Sequence, residues 1–224
     1  MRRIITIDGP NASGKGSLAR TLSGRLGWPV LDTGLMYRAT GLAVTDQGVD
    51  PDDEAACLKV VERLSFTIDP PDRLLIGGRP ADVRTLRSHE AGGAASRVSV
   101  HRGVRDHVHR LQREFAESGE VIIDGRDVGT VTVPDARCKF FLTASPEVRA
   151  TRRVAELVRR DITADYEQIL ADVRDRDARD TNRLHDPLRP APDALVVDTT
   201  GLTPDEVVAA AMRHIASKGL TAAG

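Results

Sequence analysis

Near its start the chain reads Ile4-Ile5-Thr6-Ile7-Asp8-Gly9-Pro10-Asn11-Ala12-Ser13-Gly14-Lys15-Gly16-Ser17. A short apolar, β-branched run passes into small residues, and one lysine precedes a helical pattern. Leu18, Leu22 and Leu26 recur every fourth residue, and Gly27 is placed to stop the helix. Gly9 to Lys15 fits G-x-x-x-x-G-K, with the hydroxyl of Ser17 one position later than usual. A loop without bulky side chains lets successive backbone N–H groups converge on phosphate oxygens. The helix behind it adds a favourable dipole and free N–H donors. Lys15 can then reach the outer phosphates, and Ser17 offers oxygen to Mg²⁺. The alternative is a plain strand-to-helix turn with a solvated lysine. A strand before and a helix after are the setting a phosphate cradle needs. The expected ATP-phosphate loop is Gly9, Pro10, Asn11, Ala12, Ser13, Gly14, Lys15, Gly16 and Ser17.

The rest of the chain continues the alternation. Strands are expected at Pro29–Leu31, Glu120–Ile123, Lys139–Leu142 and Leu195–Val197. Helices are expected at Leu35–Gln47, Pro51–Leu64, through Ser88–Glu117, and at Pro146–Arg160, Ala164–Thr181 and Pro204–Ser217. Ser65 to Val83 reads instead as a small antiparallel meander around Pro-Pro-Asp and Gly-Gly. Strands alternating with helices predict an α/β fold, a parallel sheet flanked by helices, with one antiparallel insert.

Composition excludes several classes. A net charge of −1 and few aromatics argue against a nucleic-acid partner. No apolar stretch approaches membrane-spanning length, and no signal peptide opens the chain. Cys57 and Cys138 fit neither a zinc site nor a redox pair, which suits a cytoplasmic protein.

Three later segments narrow the reading. Leu31-Asp32-Thr33-Gly34-Leu35-Met36-Tyr37-Arg38, Val121-Ile122-Ile123-Asp124-Gly125-Arg126-Asp127-Val128-Gly129-Thr130 and Arg174-Asp175-Arg176-Asp177-Ala178-Arg179-Asp180-Thr181-Asn182-Arg183 follow the loop in order. With the Lys-Gly-Ser ending of the loop, they resemble the bacterial cytidylate kinases, nucleoside monophosphate kinases of the P-loop type. The resemblance runs from about residue 4 to residue 200. The family usually has Gly at Ala12, Ser at Thr33 and Thr at Ser17. The last two differences keep the hydroxyl.

The resemblance implies a P-loop kinase core as one domain over 1–224. Its first segment is 1–34, an acceptor-binding region follows at 35–117, and the core continues over 118–224 with a helical lid near 152–180. It implies transfer of the γ-phosphoryl of ATP to CMP or dCMP with Mg²⁺, no nucleic-acid or membrane partner, and a monomer. Thr33, Arg38, Ser96, Arg105, Arg126, Asp127, Arg176, Asp180 and Arg183 would bind CMP. Arg38, Arg126 and Arg183 would grip its phosphate, and Arg176 and Asp180 its sugar. Ser96, Arg105 and Asp127 would read the base. A carboxylate accepts from N4 of cytosine, whereas uracil presents an acceptor there. Lys15, Arg153 and Arg179 would be catalytic, neutralising charge in the transition state. Ser17, and Asp124 through water, would hold the metal; Asp124 as a cap of its strand-end turn is the alternative. Any one of these arginines could equally be a solvated surface group, and Ser96 a helix-end hydroxyl. Kinases for UMP, AMP or shikimate, and a non-catalytic nucleotide switch, are the rivals. Asp127 with Arg105 argues against UMP, and the lid arginines argue against a switch. The histidines, without a paired carboxylate at ligand spacing, are expected at the surface or packing helices.

Overall fold

A computed structural model describes residues 2–159 and 161–220. The strands, in chain order, are β1 (Arg2–Asp8), β2 (Val30–Asp32), β3 (Phe66–Asp69), β4 (Arg73–Ile76), β5 (Arg79–Pro80), β6 (Val121–Gly125), β7 (Ala136–Thr143) and β8 (Leu195–Asp198). The helices are α1 (Lys15–Leu26), α2 (Thr33–Asp46), α3 (Glu54–Val61), α4 (Val83–Leu86), α5 (His89–Val98), α6 (Arg102–Ala116), α7 (Pro146–Val158), α8 (Tyr166–Asn182) and α9 (Pro204–Ser217).

Five strands form a parallel sheet in the order β2-β6-β1-β7-β8. Both faces are covered, which is why β1 and β6 are apolar nearly throughout: Ile4, Ile5, Ile7, Ile122 and Ile123 are fully buried. One face packs Leu18, Leu22 and Leu26 of α1, with Trp28, Phe140 and residues of α9. The other packs Leu35, Met36 and Ala39 of α2 with Val98, Val104 and Val108. Gly41 makes the second layer possible. A Cβ there would stand 2.6 Å from the backbone of Ala94 and Ala95, so α2 meets α5 only through glycine.

The meander forms as expected, as the antiparallel sheet β3-β4-β5. Most differences from the sequence reading lie at element ends. The second helix starts at Thr33, not Leu35. The third starts at Glu54, where the Asp53 side chain accepts from the Ala56 N–H. Val83 opens α4 instead of closing the meander, because Asp82 caps the turn by accepting from the Arg84 N–H. The helical stretch from Ser88 to Glu117 is two helices, α5 and α6, separated at residues 99–101. A π-helical turn at Val128–Thr132 had no expectation attached to it. It is pinned by Asp8, whose carboxylate accepts the Val128 and Gly129 N–H groups at 2.9 and 2.7 Å. Cys57 and Cys138 are buried free thiols. Among the described residues no helix is long and apolar enough to cross a membrane.

Candidate active site

The carboxyl ends of β1, β2 and β6 meet in register: Ile7 faces Asp124, Asp8 faces Gly125, and Asp32 faces Asp124. Open parallel sheets bind ligands at such an edge. A cleft of about 720 Å³ lies there, between the glycine-rich loop, α2, α5 and the α7–α8 region. That volume suits one or two small ligands.

The loop is built by steric exclusion. Gly9 has φ 143°, and a Cβ on it would stand 1.9 Å from the Leu142 carbonyl oxygen, so the end of β1 lies directly against β7. Gly14 (φ 99°) turns the chain into α1. Ala12 has φ 60°, a left-handed position that favours glycine, so the departure noted at this residue carries a strain. Asn11 through Ser17 line the cleft; Gly9 and Pro10 lie behind it. Buried Arg149 of α7 supports the loop. It donates to the Asn11 and Ala144 carbonyls at 3.3 and 2.9 Å and pairs with Asp177 of α8. No sequence signal singled Arg149 out, and Asp177, within the Arg174–Arg183 segment, had no role expected of it.

Lys15 is buried and donates to the Pro10 carbonyl at 2.8 Å. Burial, with the nearby Arg126 charge, lowers it to about 7, against the pull of Asp124. Burial raises Asp124 above the usual carboxylate range, opposed by Lys15. The Asp124 carboxylate faces the loop over Gly16, where a Cβ would lie 3.4 Å from Oδ2, and Ser17 is exposed in the first turn of α1. Asp8, behind them, is raised by burial to about 7.

The wall across the cleft from the loop gathers the arginines. Arg38 donates to the Leu86 and Ser88 carbonyls, each at 2.9 Å. Arg126 donates to Asp180 at 3.1 Å, and Arg176 stands 4.0 Å from the same carboxylate. Thr33 donates to the Asp124 carbonyl at 2.8 Å, which leaves its oxygen able to accept. Arg153 pairs with Glu156 at 2.8 Å on the cleft wall. Arg179, exposed, is not among the lining residues; its Nε donates to Ser96 Oγ at 3.2 Å, joining α8 to α5. Arg152 and Arg159 do line the cleft, and Arg160 lies outside the described residues.

Four buried polar atoms on this wall make no hydrogen bond among the described residues: Tyr37 OH, Arg87 Nε, Arg176 Nε and an Arg183 terminal nitrogen. Buried polar atoms are nearly always satisfied, so these four, with Ser13 Oγ across the cleft, point to a polar ligand. Arg87, Thr199 and Leu202 lie outside every motif of the sequence, and only the fold brings them to the cleft; Tyr37 lies within the Leu31–Arg38 segment but had no role expected of it.

Deepest in this wall, Arg105 and Asp127 form a fully buried ion pair. Burial pushes Asp127 up, but the His109 hydrogen bond and the Arg105 charge outweigh it and hold the carboxyl at about 2. Arg183 stands 3.2 Å from the same Asp127 oxygen, and His109 3.4 Å. His109 thus lies against two expected site residues, beyond the packing role expected of it. His109, Asp127 and Asp186 place ligand atoms within 4.8 Å of one another, but the Arg105 guanidinium fills the position a metal cation would take.

The comparisons agree with this geometry. The cytidylate kinase family model matches residues 5–217. The cytidylate kinase of Paramagnetospirillum magneticum is 46% identical over 222 residues, covering 97% of this chain and 100% of the relative. That of Bordetella bronchiseptica is 44% identical over 209 residues, covering 93% of each. Among solved structures, shikimate kinase from Bacteroides thetaiotaomicron superposes with a TM-score of 0.51 at 13% identity, covering 97% of this chain and 98% of that one, a likeness of fold alone. With a family model matching residues 5–217 and relatives of this similarity along nearly its whole length, the chain belongs to the cytidylate kinase family.

Proposed function

We propose that this chain transfers the γ-phosphoryl group of ATP to CMP or dCMP, giving ADP and CDP or dCDP. The observation that carries the reading is the meeting, in one cleft, of the glycine-rich loop with Arg38, Arg126, Arg176 and Arg183, where several buried polar atoms make no hydrogen bond among the described residues. A loop alone serves any nucleotide switch. The second set of cations needs a second anion.

The acceptor phosphate is already an anionic oxygen, so no general base is required. Its oxygen attacks the γ-phosphorus in line, the new P–O bond forms, and the bond to the β-bridging oxygen breaks with its electrons passing to ADP. The work left to the protein is positioning and neutralisation. Lys15 leaves the Pro10 carbonyl for the outer phosphates. Arg38, Arg126 and Arg183 hold the acceptor phosphate, and Arg176 and Asp180 the sugar. Arg153 reaches the transferring group, with Arg179 closing from α8. The hard oxygens of Ser17 and Asp124 fit Mg²⁺, Asp124 through water; when bound, the ion supplies further neutralisation of the donor phosphates. Asp127 accepts from the cytosine amino group, Arg105 donates to the ring acceptors, and Ser96 completes the base site. Donor and acceptor groups all come from one chain, so a monomer suffices.

The test is ADP release measured against CMP, dCMP, UMP, AMP and shikimate. CMP or dCMP is expected to give the highest kcat/KM. A preference for UMP, AMP or shikimate would sink the assignment.

A further inference from the structure

Asp186 lies just beyond α8, outside every segment singled out in the sequence. It adopts φ 51°, a left-handed turn that aspartate tolerates better than most residues. That turn sends the chain back over the end of α8. The Asp186 carbonyl accepts from Arg183 Nε at 2.6 Å, and the Leu188 N–H donates to the Asp180 carbonyl at 2.8 Å. It also brings the Asp186 carboxylate to the floor of the acceptor site, where Oδ2 accepts from Arg105 Nε at 2.8 Å.

Arg105 has five N–H groups. Nε is held by Asp186, one NH1 hydrogen by the Ser99 carbonyl at 3.1 Å, and NH2 by Asp127 and His109. The Tyr37 ring lies 5.7 Å from the guanidinium carbon. Among the described residues only Asp186 accepts from Nε, so without it the guanidinium loses the hydrogen bond on that edge and is held only through its two terminal nitrogens. Asp127 and the Ser99 carbonyl hold its far side; Asp186 fixes the plane.

We propose that Asp186 is a positioning residue for base selection. Through its carboxylate it sets the plane of Arg105, and through its backbone carbonyl it ties that plane to Arg183. The proposal rests on the reading that Arg105 and Asp127 recognise the base. It extends that reading to a residue that touches neither nucleotide. It also makes base selection depend on the loop after α8, so that α8 with Arg176 and Asp180, its cap Arg183, and α6 with Arg105 are set relative to one another by one residue.

The left-handed turn supplies a clean variant. Asp186→Gly keeps the backbone, since glycine takes φ 51° freely, and removes only the carboxylate. Its KM for CMP is expected to rise roughly ten-fold, the size of one hydrogen bond to a charged group. The ratio of kcat/KM for CMP over UMP should fall, while KM for ATP stays within about two-fold because the donor loop is untouched. Asp186→Asn, which keeps an acceptor oxygen for Nε, should recover most of the ratio. A part that is only structural would lower the melting temperature and leave the ratio alone. An unchanged ratio in Asp186→Gly, or an equal fall for CMP and UMP, overturns the proposal. Arg105→Met, measured beside them, separates the two levels. If it shifts the ratio and Asp186→Gly does not, only the positioning role is lost. If it too leaves the ratio unchanged, the base-recognition reading falls and the positioning role with it.

Discussion

Ala12 shows how two opposing effects decide a single substitution. Holding a non-glycine residue in the left-handed region costs roughly 1–2 kcal/mol, and Ala12 sits there at φ 60°. Ala12→Gly removes that strain but loosens the unfolded chain by about 0.4–1 kcal/mol. The strain is the larger, so the variant should be more stable by roughly 0.5–1 kcal/mol, a rise of about 1–4 °C in Tm for a chain of this size. A thermal melt that falls would show that the methyl group packs usefully. Lys15 carries a pH prediction. Burial sets it at about 7, against an ordinary value of 10.5. A bound triphosphate would favour the charged amine, so binding above this value should be accompanied by proton uptake at Lys15. ATP affinity should therefore weaken as pH rises above about 7, by at most about ten-fold per unit. Titration calorimetry at pH 8 in two buffers of different ionisation enthalpy would register the uptake. Lys15→Met should abolish it and lower kcat by roughly a hundred-fold or more, the size of a lost charge stabiliser.

Between elements, the decisive contacts are backbone approaches and caps. Gly41 lets α2 lie against α5, and those helices carry Arg38 and Ser96. Gly41→Ala would push a Cβ into the Ala94 and Ala95 backbone, at a cost of about 1–3 kcal/mol. It should lower the melting temperature and raise KM for CMP while leaving KM for ATP near its parent value, because α1 and its loop are remote from that crossing. Steady-state kinetics with each nucleotide varied in turn would decide it; equal changes in both would refute the separation. This is also the scale at which the sequence was readable and at which it stopped. The β1–loop–α1 unit was legible because its periodicity changes abruptly at glycine. α9 was legible from end to end, since Thr203 and Glu206 form a capping box at its start. The π-helical turn at Val128–Thr132 was not, because its cause, the Asp8 carboxylate, is about 120 residues away. Arg149, His109 and Asp186 were missed for the same reason: each acts on a partner that only the tertiary fold supplies. Arg105 and Asp127, by contrast, were named from the family resemblance, and the fold brings them into contact.

Across the molecule, the sheet separates chemistry from anchorage. The cleft lies at the carboxyl ends of the strands, whereas Trp28, ahead of β2, is buried in the core with Arg3 stacked 5.7 Å from its ring. Trp28 is the single tryptophan in the chain. Its emission should therefore shift on unfolding and change little on saturation with CMP or ATP. A large nucleotide-induced change would mean that ligand binding reaches the far end of the sheet.

Gly9 and Gly14 of the glycine-rich loop are constrained for different reasons, and an inheritance experiment would see the difference. Gly9 is fenced by space, since any side chain meets the Leu142 carbonyl at 1.9 Å. Gly14 is fenced by its dihedral alone, with no atom within 4 Å of where a Cβ would go. In a fully randomised library under selection for growth, position 9 should return glycine and nothing else. Position 14 should admit a trickle of asparagine and aspartate, the residues that best bear a positive φ. Two letters that look alike in the motif thus have different mutational futures.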